Sequence, residues 1–174
     1  MSKIYHPIVI FSYNRPNKLI KLIKTIKKNT DYEKHKYYFF CDGKKKNFTL
    51  ADEKKINENI KIIKYFNEIE KKIIIRKKNY GLAKNIIDGV SAIIKKHNAC
   101  IVLEDDLELS KNCLKFINFG LNKFKNDSSI GSISGYSYVN NEKILKNEKW
   151  FKLYRHCSWS WGTWQRVWNK IDWD

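Results

Sequence analysis

The chain has 174 residues, room for one α/β domain with a real apolar core and too few to promise two. Hydrophobic residues at 43% and aromatics at 14% exclude a disordered chain, because that much apolar side chain offsets the entropy of ordering the backbone. The formal charge of +17 raises nucleic-acid or anionic-membrane binding, yet lysine supplies nearly all of it. Only Arg15, Arg76, Arg155 and Arg166 offer the planar fork that base and phosphate recognition favours. The lysines alternate with isoleucine and asparagine, as in Lys21-Leu22-Ile23-Lys24, and read as solvated helix faces. No specific nucleic-acid partner is expected, and any membrane contact is peripheral, through the basic surface.

In chain order, Pro7-Ile8-Val9-Ile10-Phe11 is a short apolar run typical of a strand covered on both faces. It ends at Tyr13-Asn14-Arg15-Pro16, and Leu19, Leu22, Ile23 and Ile26 then recur with helical spacing behind the proline. Met1 to Tyr13 is neither a signal peptide nor long enough to span a bilayer. Tyr37 to Cys41 gives a second strand, ended by Asp42-Gly43, and Ile56, Ile60, Ile63 and Phe66 mark a second helix. Ile73-Ile74-Ile75 is the third strand; after Asn79-Tyr80-Gly81 a helix carries Ala83, Ile86, Ile87, Val90 and Ile94. Ala99 to Leu103, the fourth strand, runs straight into Glu104-Asp105-Asp106. A helix through Leu114 and Phe124 and a strand over 130–134 follow. Trp159, Trp161 and Gly162 are expected on a loop, and Trp164 and Trp168 on one face of a short helix. Strands alternating with helices predict a mostly parallel sheet with helices on both faces, as one domain over 1–174.

Polar clusters end the first, second and fourth strands, where open parallel sheets bind ligands. None has a glycine-rich phosphate loop. Consecutive carboxylates there offer hard oxygen ligands to Mn²⁺ or Mg²⁺, a cation that would also offset their mutual repulsion. The competing reading places these acids simply ahead of the next helix, where negative charge suits the dipole. Cys41, Cys100, Cys113 and Cys157 form no CxxC pair, and the two in apolar runs fit reduced thiols. A cytoplasmic protein, peripheral at the inner membrane face, is expected.

The ordered set of motifs resembles the GT-A glycosyltransferases, in particular the N-acetylglucosaminyltransferase I type and related bacterial family 2-like transferases. The carrying segments are Phe11 to Pro16, Cys41-Asp42-Gly43, Asn79 to Ala83, Val102 to Glu108, Ile133-Ser134-Gly135 and Leu153 to Trp164. The resemblance implies that Asp106 coordinates a metal bridging a diphosphate, that Glu104 and Asp105 contact the nucleoside or sugar, and that Arg15 and Asp42 bind the base. Tyr13 and Lys84 would lie beside the nucleotide, and Trp159, Trp161 and Gly162 beside the donor sugar or the acceptor. It also implies transfer from a UDP-linked sugar to a hydroxyl of a glycan or lipid-linked glycan. The base that accepts the hydroxyl proton is expected after the tryptophan segment, where only Asp172 and Asp174 stand, so the acceptor part reads as short or absent. The rival class is a basic nucleic-acid or membrane-surface protein without chemistry, or a donor-binding module that has lost catalysis.

Overall fold

The first apolar run forms β1 (Ile8–Ser12), buried at all of its positions, and the next forms β2 (Tyr37–Cys41), equally buried. In the computed structural model, which describes residues 4–137 and 150–173, four further strands complete one sheet. They are β3 (Lys71–Ile75), β4 (Ala99–Glu104), β5 (Ile133–Ser134) and β6 (Trp161–Trp164). The order is β3-β2-β1-β4-β6-β5; β3, β2, β1 and β4 are parallel, and β6 runs antiparallel to both β4 and β5.

Period-two alternation splits the side chains of β1 into two cores. Ile8 and Ile10 point with Phe39, Ile101 and Leu103 toward α1 (Pro16–Ile26), α2 (Leu50–Tyr65) and α4 (Cys113–Lys123). Val9 and Phe11 point with Phe40 and Val102 toward α3 (Leu82–His97) and Trp168 of α5 (Gln165–Trp168). Helices cover both faces, so the parallel strands can be apolar throughout. Local signals set the helix starts. Pro16 opens α1, Thr49 and Asp52 form a reciprocal capping box on α2, and Gly81 precedes α3 at φ 74°.

Two expectations at the carboxyl-terminal end change. The strand expected over 130–134 contracts to Ile133–Ser134, and Trp161-Gly162-Thr163-Trp164 is a strand, not a loop running into a helix. Trp161 and Gly162 are therefore core residues. A Cβ on Gly162 would come within 2.9 Å of Ile117 and Leu121, so α4 packs on this strand only because the side chain is missing. Trp161 stacks on Trp168 with ring centroids 6.1 Å apart, and Trp164 donates its indole N–H to the Leu121 carbonyl at 3.0 Å. All four cysteines are buried thiols outside any disulfide, and among the described residues no helix is long and apolar enough to cross a membrane.

The chain builds outward from β1 through β2 to β3, then returns to place β4 on the other side of β1. Strand order reverses between β1 and β4, so a crevice is expected past their carboxyl ends.

Candidate functional site: carboxylates at the strand ends

The β4 chain end is fastened to the β1 end at backbone level. The Asp105 amide donates to the Phe11 carbonyl at 3.0 Å, and the Asp105 Oδ2 accepts the Tyr13 amide at 3.1 Å. The α2 helix holds the same turn from the far side. Buried Asn59 donates to Ser12 Oγ at 2.9 Å and to the Tyr13 carbonyl at 3.2 Å, while Asn14 donates to Asp52 Oδ1 at 2.8 Å. Sequence reasoning passed over Asn59 and Asp52. Both left a trace: Asn59 is the lone polar residue on a helix face of Ile56 and Ile63, and Thr49-x-x-Asp52 is a capping-box spacing.

Arg15 bridges the last two acids of the triplet. Its Nη2 lies 2.8 Å from Asp105 Oδ1, and its Nη1 donates to Asp106 Oδ2 at 2.8 Å. The first is a charge contact rather than an aligned hydrogen bond, since that oxygen makes none. The three side chains differ in access: Asp105 is 1% exposed, Asp106 39% and Arg15 46%. Burial raises the Asp105 carboxyl above the ordinary carboxylate range, opposed by the Tyr13 amide and by Arg15. Glu104 is raised chiefly by burial and next by the Asp106 charge. The charge that the triplet needs offset is thus met in part by a guanidinium of the chain itself. Its distance in sequence from the acids hid that pairing from sequence reasoning.

Asp42 sits in a different setting. Its Oδ1 accepts the amides of Gly43 and Tyr80, both at 2.8 Å, and its Oδ2 accepts the Gly81 amide and the Asn79 side chain, both at 3.0 Å. A carboxylate offers about four lone-pair positions. All four are taken, so a base would reach Asp42 only in place of one of these donors. Asp42 instead ties the β2 end to the loop that opens α3. Arg76 backs that loop, stacked between Phe40 at 5.1 Å and Tyr80 at 4.5 Å with its Nε donating to Asn85 at 3.1 Å. Lys84 is exposed on the first turn of α3, 5.7 Å from the Tyr80 ring, and Lys45 lies 5.7 Å from the Tyr13 ring.

The remaining expected residues scatter. Trp159 is 48% exposed and packs on Tyr136 at 4.7 Å. Trp159 lies just before β6, separated from it by Ser160, whose backbone is left-handed at φ 49°. Trp161 and Gly162 are buried in β6, which removes them from the surface a sugar could touch. Asp172 is exposed beyond α5, and Asp174 lies outside the described residues. A cavity of about 870 Å³ opens beside β5, lined among others by Phe116, Phe124, Trp150 and His156. It includes none of the strand-end carboxylates, so the chemistry points to the β1/β4 rim rather than to this cavity.

Among the described residues no three His, Cys, Asp or Glu side chains gather into a cation cage. Mn²⁺ or Mg²⁺ does not need one, because such ions bind through one or two carboxylates plus the phosphates of a substrate. Asp106, a half-exposed oxygen donor beside an anchored neighbour, fits that arrangement.

A family model described as Glycosyl transferase family 2 matches residues 8–172. Among solved structures, S. aureus TarS 1-349 is 15% identical, the match covering 70% of this chain and 33% of that one with a TM-score of 0.50. Mannosyltransferase PcManGT from Pyrobaculum calidifontis, in complex with GDP-Man and Mn²⁺, is 12% identical over 76% of this chain and 36% of that one, with a TM-score of 0.48. The chain spans about a third of the length of these two structures. No curated protein sequence matches it.

Proposed function

We propose that this chain, which belongs to glycosyl transferase family 2 and has the GT-A fold, binds a nucleoside diphosphate sugar at the β1/β4 rim through a divalent cation on Asp106. The sugar is destined for a hydroxyl of a glycan or lipid-linked glycan. One observation carries the reading: at the point where strand order reverses, Asp105 is locked into the backbone while Asp106 next to it presents an accessible carboxylate.

The cation, when bound, supplies positive charge to the departing diphosphate. The chain's own residues prepare its seat. Asp105 and Asn59 hold the Ser12-Tyr13 turn, Asp42 holds the loop before α3, and Lys45 beside Tyr13 and Lys84 beside Tyr80 carry positive charge suited to phosphates. Tyr13 is half-buried on the rim and offers a ring to a base. Trp159 offers an exposed ring to a sugar face. With four donors already on the Asp42 oxygens, Tyr13, Arg15 and backbone groups are the first contacts to consider for a uridine preference. UDP is the nucleotide to test first, with GDP beside it. The basic surface supports peripheral contact with an anionic membrane from the cytoplasmic side.

Calorimetry with UDP tests the proposal. Binding in Mn²⁺ is expected to weaken at least about tenfold on Asp106→Ala or on adding chelator. Unchanged UDP binding with chelator present would remove the metal, and absence of binding by both UDP and GDP would remove the nucleotide.

A further inference from the structure

We infer that Arg15 is a displaceable counter-ion of the acidic rim and couples cation binding to nucleotide binding; this rests on the metal reading above. The guanidinium forms a fork with one fixed and one detachable arm. The fixed arm meets Asp105, which cannot move: its side chain is buried, its amide is bonded to Phe11 and its Oδ2 to the Tyr13 amide. The detachable arm meets Asp106 Oδ2, which is open to solvent. The Arg15 backbone is held as well, its carbonyl accepting the amides of Lys18 and Leu19 at the start of α1. Only the side chain is free to swing.

A divalent cation that takes Asp106 as a ligand must either displace this arm or sit against its positive charge. The chain without nucleotide is therefore a poor cation binder. A diphosphate reverses the balance, because its charge accepts both the cation and the freed Nη1, so each ligand tightens the other by the same factor. Glu104 adds negative charge beside the pair, and Lys21 and Glu108 satisfy each other at 3.5 Å a short distance along the chain.

Mn²⁺ alone, titrated by electron paramagnetic resonance into wild type, Arg15→Gln and Arg15→Lys, tests the idea. Thermal melts accompany the titrations, since R15Q leaves Asp105 buried without its cation, whereas R15K keeps a positive charge there. The expected result is Mn²⁺ bound about tenfold tighter by R15Q and tighter than wild type by R15K, with a smaller tightening by UDP in both. Mn²⁺ bound no tighter by the folded variants overturns the inference and leaves the metal reading standing. Mn²⁺ bound by none of the three, with or without UDP, overturns both.

Discussion

Asp42 and Asp106 are both aspartates just past buried parallel strands, yet they use their oxygens in opposite ways. Asp42 gives every lone pair to its own chain and stitches two loops together. Asp106 holds one solvent-open contact with Arg15. The same side chain at equivalent heights in one sheet is a structural brace in one place and the proposed ligand seat in the other. Unspent hydrogen-bonding capacity, rather than residue type or position, marks the seat.

The contrast can be broken by substitution. Asp42→Ala strands four donors, three of them in a half-buried loop, and is expected to lower stability by about 3 kcal/mol, read from the urea midpoint. Asp106→Ala should change the same midpoint by no more than about 0.5 kcal/mol while abolishing metal-dependent nucleotide binding. Equal losses of stability would erase the distinction. Beside Asp42, a Cβ on Gly43 would lie 2.5 Å from the Lys78 carbonyl oxygen, backbone that cannot rotate away. Gly43→Ala is expected to cost about 2 kcal/mol and, by shifting the Asp42 loop, to weaken UDP binding without removing its need for Mn²⁺.

The smallest effect concerns Glu104. Its carboxyl titrates above the ordinary range because burial disfavours the charged form, followed by the Asp106 charge. The folded state holds that proton more tightly than the unfolded chain does, so ionised Glu104 costs stability at neutral pH. The cost is relieved as pH falls through the raised value toward the unfolded value. Glu104→Gln should therefore be slightly more stable than wild type at neutral pH, with the gap closing near about pH 4. A gap that widens on acidification would reverse the assigned direction.

The sequence disclosed β1, β2 and β4 because strands buried on both faces must be apolar throughout, and such runs are hard to mistake. It disclosed the height of the acidic triplet for the same reason. Trp161 to Trp164 hid its strand character: Trp-Gly-Thr-Trp has no β-branched run, and its conformation comes from pairing with β4 under α4. Gly162 in particular answers to Ile117 and Leu121, a tertiary demand with no local signature. The fate of the carboxylates was equally illegible. Asp42 read as a turn former before glycine, and nothing in the spacing shows that Asn79, Tyr80 and Gly81 return to fill its oxygens. Likewise the repulsion within the triplet suggested a metal, but Arg15 already lies against it, brought there by the parallel pairing of β1 with β4.

Whether the β1/β4 rim is the ligand seat is decided most directly by a crystal of this chain soaked with UDP and Mn²⁺, using the anomalous scattering of manganese. A peak is expected about 2.1 Å from an Asp106 carboxylate oxygen, with the diphosphate on its open side and the Arg15 arm turned away from Asp106. Manganese away from Asp106, or a nucleotide seated in the cavity between Trp150 and His156, would contradict that placement.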